Sequence, residues 1–115
     1  MAYKIAVEDK VLVTVKGGLL GSAKGRDKPF DFTLLMDRLD QDEINKRQKS
    51  GEQVADFIVS LTHGWEGQNL VLNEDGKPAD FSEEALRALL SIAGMHVKCY
   101  QCYLVDVGVQ EKNSR

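Results

Sequence analysis

The stretch 54–90 constrains this chain more than any other, because it prescribes two amphipathic helices and the corner between them. Val54, Phe57, Ile58 and Leu61 fall at i, i+3, i+4 and i+7, which is one apolar stripe of a helix. Gly64 follows where a helix can reverse into the left-handed region, so the expected helix ends there. Trp65, the one tryptophan of the chain, comes directly after and is placed to cap the core beneath that helix. Asn73-Glu74-Asp75-Gly76 is turn chemistry, with Gly76 free to take positive φ, and Pro78 keeps its predecessor extended. Ser82 is a good N-cap, and Glu83 and Glu84 in the first turn suit the helix dipole. Phe81 and Leu86 occupy the hydrophobic-staple positions, and Leu86, Leu89, Leu90 and Ala93 line one face. Trp65, Gly76, Phe81 and Ser82 are thus expected to be structural anchors.

The residues before this stretch alternate. Lys4 to Val7 is short, apolar and β-branched. Val11, Val13 and Val15 then alternate with Leu12, Thr14 and Lys16 at the period of a strand. Two strands this close predict a hairpin. Phe30, Phe32, Leu34 and Met36 alternate with Asp31, Thr33, Leu35 and Asp37, the best strand in the chain, and it is expected to pair with the valine strand. Between them, 17–28 holds four glycines and three basic residues and is expected to be a mobile loop. It is no phosphate cradle: no register matches G-x-x-x-x-G-K-[ST]. Asp40 with Glu43 three residues on opens a polar helix, broken at Ser50-Gly51. Gly94 ends the leucine helix, Met95 to Leu104 is expected to be helical, and 109–115 is a polar tail.

These elements predict an α+β chain: an N-terminal antiparallel hairpin or small sheet packed on three to four helices. At 115 residues it is expected to form a single domain, with 1–37 as the β element and 40–108 as the helical part. There is no run long enough to span a bilayer and no apolar secretion signal at the N-terminus, and two cysteines without one favour a reducing cytoplasm. The net charge of −3 is uneven: six basic against three acidic residues in 1–28 give +3, and the remainder carries −6. A basic front and an acidic body favour contacts between copies or with a charged protein, while the acidic total argues against nucleic acid as a partner.

Little in the sequence points to catalysis. His63 and His96 have no evident nucleophile, there is no Gly-x-Ser-x-Gly, and the carboxylates at Asp40, Glu83, Glu84 and Asp75 are explained by caps and turns. The sharpest chemical signal is His96-x-x-Cys99-x-x-Cys102. With His63 it supplies the four ligands of a closed zinc site, and Cys-x-x-Cys also describes a redox dithiol. Both cysteines lie inside an apolar segment, away from the helix start that would lower a thiol pKa, so buried thiols on a core face are the competing reading. No cofactor is expected.

The runs F-I-V-S-L-T-H-G-W-E-G and N-E-D-G-K-P-A-D-F-S-E-E-A-L-R-A-L-L resemble the tail assembly chaperones of long-tailed bacteriophages. Those proteins carry a helix ending in Gly-Trp or a similar aromatic, a D-G-x-P-type turn, an F-[ST] helix start and a leucine-rich helix, here Trp65, Asp75-Gly76-Lys77-Pro78, Phe81-Ser82 and Leu86/Leu89/Leu90. The likeness spans roughly 30–103, by the same short-motif reasoning. The glycine-rich basic segment and the Cys-x-x-Cys depart from it. The resemblance implies a non-enzymatic protein of the infected host's cytoplasm, absent from the mature virion. It would bind the tape measure protein, keep it soluble and help tail tube protein polymerise around it. A frameshifted longer form is common in such families.

A chaperone for an amphipathic helix needs an apolar groove or patch. The candidates are Leu19 and Leu20, Leu35 and Met36, and Tyr100 and Tyr103. Lys24, Arg26 and Lys28 are candidates for charged contacts. Apolar side chains in excess of what one small domain buries, together with the charge asymmetry, predict a homo-oligomer. The alternative function is a small zinc-stabilised adaptor using His63, His96, Cys99 and Cys102.

Overall fold

A computed structural model of the chain describes residues 8–19 and 28–108, with Leu19 and Lys28 entering by their backbone alone. Strand β1 (Lys10–Leu19) pairs antiparallel with β2 (Lys28–Asp37) in unbroken register, Val13 opposite Leu34 and Val15 opposite Phe32. Helices α1 (Gln41–Lys49) and α2 (Val54–Leu61) follow, then β3 (Thr62–Glu66), α3 (Glu83–Leu90) and α4 (Met95–Val107). The sheet has the order β1-β2-β3. The fold is α+β, a three-stranded antiparallel sheet and four helices, of which α2, α3 and α4 share a core with the sheet.

Alternation decides which way the sheet faces. Val11, Val13 and Val15 of β1 and Phe30, Phe32, Leu34 and Met36 of β2 are buried, and they share one core with Phe57, Ile58 and Leu61 of α2, Leu86, Leu89 and Leu90 of α3, and Met95, Cys99 and Tyr103 of α4. The stripe expected on α2 is therefore the one that packs. Helix α1 is polar by sequence and buries only Ile44. Asp40 Oδ1 accepts from the Glu43 amide at 2.9 Å, and the Ser82 hydroxyl accepts from Ala85 N at 3.0 Å, so both predicted caps satisfy amides that the first helical turn leaves free.

Several boundaries differ from the sequence expectation. The α2 helix does not reach Gly64. Thr62 is already extended, and its Oγ1 donates to Ile58 O at 2.7 Å. What overrides the helical signal is pairing with β2: Thr62 lies opposite Met36, Gly64 opposite Leu35 and Trp65 opposite Leu34, with an irregularity between Leu35 and Met36. The glycine after α2 that takes positive φ is not Gly64 but Gly67, three places later, where an added Cβ would sit 3.4 Å from Asp31 O. The segment 40–108 is thus not purely helical, because it supplies the third strand. Residues 17–19 and 28 of the expected loop are strand, since β1 continues to Leu19 and β2 begins at Lys28. At Gly17 the Phe30 ring of the opposite strand lies where a side chain would be, 2.9 Å from an added Cβ, which explains why a glycine serves inside this strand. Helix α4 runs on to Val107, past the expected end at Leu104. The proposed strand at 4–7, residues 20–27 of the loop and the tail 109–115 lie outside the described residues.

The C-terminal end of α4 is tied to the sheet. Asp106 Oδ2 accepts from Thr14 N at 3.3 Å, and Arg38 Nη1 donates to Val107 O at 3.3 Å, a cation at a helix C-terminus. No helix among the described residues is long and apolar enough to cross a membrane.

Candidate functional site

The connection from Trp65 to Ser82 is an interlocked unit. Trp65 Nε1 donates to Ala79 O at 3.2 Å, and its ring meets Phe81 edge-on with centroids 5.5 Å apart. The buried Gln68 side chain ties the two limbs together. Its Nε2 donates to Val71 O at 2.9 Å and to Ala79 O at 3.2 Å, and its Oε1 accepts from Leu70 N and Val71 N. Leu72 bridges to Pro78, Gly76 takes φ 84°, and Asp75 Oδ1 accepts from Lys77 N at 2.9 Å. A buried amide with this many partners fixes a corner. Trp65 is half-buried and capped here, which makes it an anchor of β3 and the corner.

Two surface hollows are lined in part by apolar and aromatic side chains. The first is a depression of about 320 Å³ among the helices, lined by Arg47, Gln48, Glu52, Val54, Phe57 and Tyr100. Phe57 is its aromatic floor, with Tyr100 edge-on at 5.4 Å between centroids. The Arg47 guanidinium lies 4.9 Å from the Phe57 centroid. It is held there by two hydrogen bonds to Glu52, at 3.0 and 2.8 Å, and one to the Ser60 hydroxyl at 2.7 Å. A bidentate pair plus a cation–π contact orders a long side chain that would otherwise be mobile. Gln48 Nε2 donates to the Tyr100 hydroxyl at 2.8 Å on the opposite rim. The result is an apolar floor within a polar rim.

The second hollow, about 340 Å³, lies on the outer face of the sheet among Leu12, Thr33, Leu35, Gly64, Trp65 and Glu66. Gly64 makes it, because nothing lies within 4 Å of where its Cβ would be. At one end of this face Asp37 Oδ1 is 2.8 Å from His63 Nε2 and 3.3 Å from Lys10 Nζ. Partial burial raises the Asp37 carboxyl, but the hydrogen bonds with His63 and Lys10 outweigh it and hold the group below its ordinary range.

The residues expected to act in contacts divide accordingly. Leu35 is on the outer sheet face and Tyr100 lines the helical hollow. Met36 and Tyr103 are fully buried, which corrects their assignment as contact residues. The Tyr103 hydroxyl accepts from Leu39 N at 3.1 Å and donates to Asp37 O at 2.8 Å, pinning α4 to the end of β2. Leu20, Lys24 and Arg26 lie outside the described residues, as do the side chains of Leu19 and Lys28. Leu12, Gly64, Val54 and Phe57 were not expected to line a hollow. The signal for Leu12 was present, since it is the one large apolar residue in the polar phase of β1.

His63, His96, Cys99 and Cys102 do not gather. His63 is engaged with Asp37, and no three His, Cys, Asp or Glu side chains among the described residues form a group able to hold a metal. Both cysteines are free thiols. Burial pushes Cys99 up to about 12, with Cys102 adding to it, and burial also raises Cys102. A redox dithiol needs the opposite shift.

Comparison with protein-family models, with curated proteins and with solved structures gave no match to this chain.

Proposed function

We propose that this chain is a non-enzymatic tail assembly chaperone of a long-tailed bacteriophage or prophage. In this reading it works as a homo-oligomer in the host cytoplasm. It binds an amphipathic helical segment of the tape measure protein, keeps that protein soluble, and hands it to polymerising tail tube protein. The resemblance of the Trp65-to-Leu90 segment supplies the partner's identity. The observation that carries the reading is the hollow with Phe57 as floor, Tyr100 as wall and the Arg47–Glu52 pair as rim. An aromatic-floored pocket inside a polar rim is the form that receives an apolar anchor from one face of a helix. At about 320 Å³ it admits one or two such side chains, not a substrate enclosed on all sides.

Co-expression with the tape measure protein of the same phage tests the proposal. The expected result is a clear rise in that partner's soluble fraction and its capture on the tagged chain. Tyr100→Glu and Val54→Lys, which charge the hollow, are expected to abolish capture while the far-UV circular dichroism spectrum is kept. A partner that stays insoluble, or is captured equally by both variants, counts against it.

A further inference from the structure

We propose that the outer face of the sheet takes a second copy of this chain, face to face, in one particular two-fold arrangement. The proposal goes beyond the chaperone reading and does not rest on it.

The register of β1 and β2 writes this face as four cross-strand rows: Lys10 opposite Asp37, Leu12 opposite Leu35, Thr14 opposite Thr33, and Lys16 opposite Asp31. The residues between them point into the core, so these eight share the outer face. Both bases are on β1 and both acids on β2, with the leucine and threonine rows between. Leu12 is 65% exposed and Leu35 37%, and Gly64 beside Leu35 leaves the hollow already described.

A pair of identical faces is related by a two-fold axis lying in the contact plane. With the axis across the strands, Lys10 comes over the second copy's Lys16 and Asp37 over its Asp31. With the axis along β2, Asp31 and Asp37 each come over their own copies. With the axis parallel to the strands and midway between β1 and β2, each β1 lies over the other copy's β2. Lys10 then meets Asp37, Lys16 meets Asp31, and Leu12 meets Leu35 across the interface. This last arrangement matches charge at both ends and buries the leucines in the middle, and like charges penalise the other two. Facing sheets pack within about 30° of parallel, and the flexible lysine stem takes up the offset at the end rows. Two facing strands about 4.8 Å apart, each of ten residues at about 3.4 Å, give roughly 330 Å² per copy and roughly 650 Å² over both copies. That is well below the roughly 1,200–2,000 Å² of a stable specific interface, so the dimer is a weak, exchanging one.

The test uses the chain alone, so its failure is distinct from failure of tape measure binding. Light-scattering mass is measured from about 1 μM to about 1 mM, the range of weak affinities. The wild type is expected to pass from monomer to dimer within it. Lys16→Asp and Asp31→Lys, each at an exposed position, are each expected to weaken dimerisation at least about tenfold, because each sets like charges across the interface. Mixed in equal amounts, the two variants restore opposite charges and are expected to form mixed dimers, read by capture of an untagged copy on a tagged one. Leu12→Ser with Leu35→Ser is expected to give a folded monomer. A wild type that stays monomeric overturns the proposal, as it does if a helical partner instead occupies the face and Leu12→Ser weakens that binding. Dimers indifferent to the charge reversals, or variants that fail to complement when mixed, also overturn it.

Discussion

β2 carries two adjacent leucines that do opposite things. Leu34 is fully buried between the sheet and the helices, and Leu35 is 37% exposed on the other side of the same strand. The β1–β2 pair repeats the division. Its inner face is valine, phenylalanine, leucine and methionine packed into a single core, and its outer face is charge at both ends with two leucines and two threonines between. Because side chains alternate at period two, one strand builds both faces. Identical residue types can therefore belong to stability on one side and to contact on the other.

The sharpest contrast is chemical. Cys99 lies on the inner side, and its thiol is pushed up to about 12. At pH 8 that reduces the reactive thiolate about a thousandfold relative to an ordinary cysteine. Alkylation by iodoacetamide, followed by mass spectrometry, is expected to reach Cys99 only in urea. Prompt labelling of Cys99 in the native chain would show that the inner face opens readily. In stability, Leu34→Ala is expected to cost about 3 kcal/mol by urea denaturation, from lost burial and the cavity left behind. Leu35→Ala is expected to stay within about 0.5 kcal/mol. Equal costs would erase the distinction between the faces. Tyr103→Phe removes a hydroxyl that both accepts from Leu39 N and donates to Asp37 O, and is expected to cost about 1–2 kcal/mol.

The smallest effect belongs to the outer face. The Asp37 carboxyl is held below its ordinary 3.8, the bonds with His63 and Lys10 outweighing its desolvation. A depressed carboxyl contributes stability above its unfolded-state pKa, and that contribution is lost as pH falls through the folded one. Asp37→Asn is thus expected to flatten the acid limb of the stability curve below about pH 4 slightly, since a group this accessible is screened by solvent. An unchanged acid limb would show that the His63–Asp37–Lys10 cluster adds nothing to folding.

Local grammar carried most of the architecture. The Phe30–Met36 alternation, the caps at Asp40 and Ser82 and the stripe on α2 all come from neighbouring residues, and each is where the sequence puts it. The third strand was not legible. Thr62 to Trp65 follows a clear helical stripe and contains a glycine, so the local signal says helix end. Only pairing with Leu34 and Met36, some thirty positions earlier, makes it a strand, and such long-range pairing leaves little local trace. The hollows were legible in part. Leu35 and Tyr100 stand out as residues off the core phase. Tyr103 falls with Met95 and Cys99 at i, i+4 and i+8, and that is the face of α4 that is buried, so spacing within α4 places Tyr103 on the core side although its hydroxyl would equally suit an exposed contact.

The position of the single tryptophan has an optical consequence. Its indole is bonded to Ala79 O, lies edge-on to Phe81 and borders the outer hollow, so its fluorescence reports on the seam between β3 and the corner that follows, not on the centre of the core. A melt followed by tryptophan emission and one followed by far-UV circular dichroism therefore interrogate different parts of one molecule. If the curves coincide, sheet edge and helices unfold as one cooperative unit. If emission leaves first, β3 and its corner peel away as a separate unit while the β1–β2 hairpin keeps its helices.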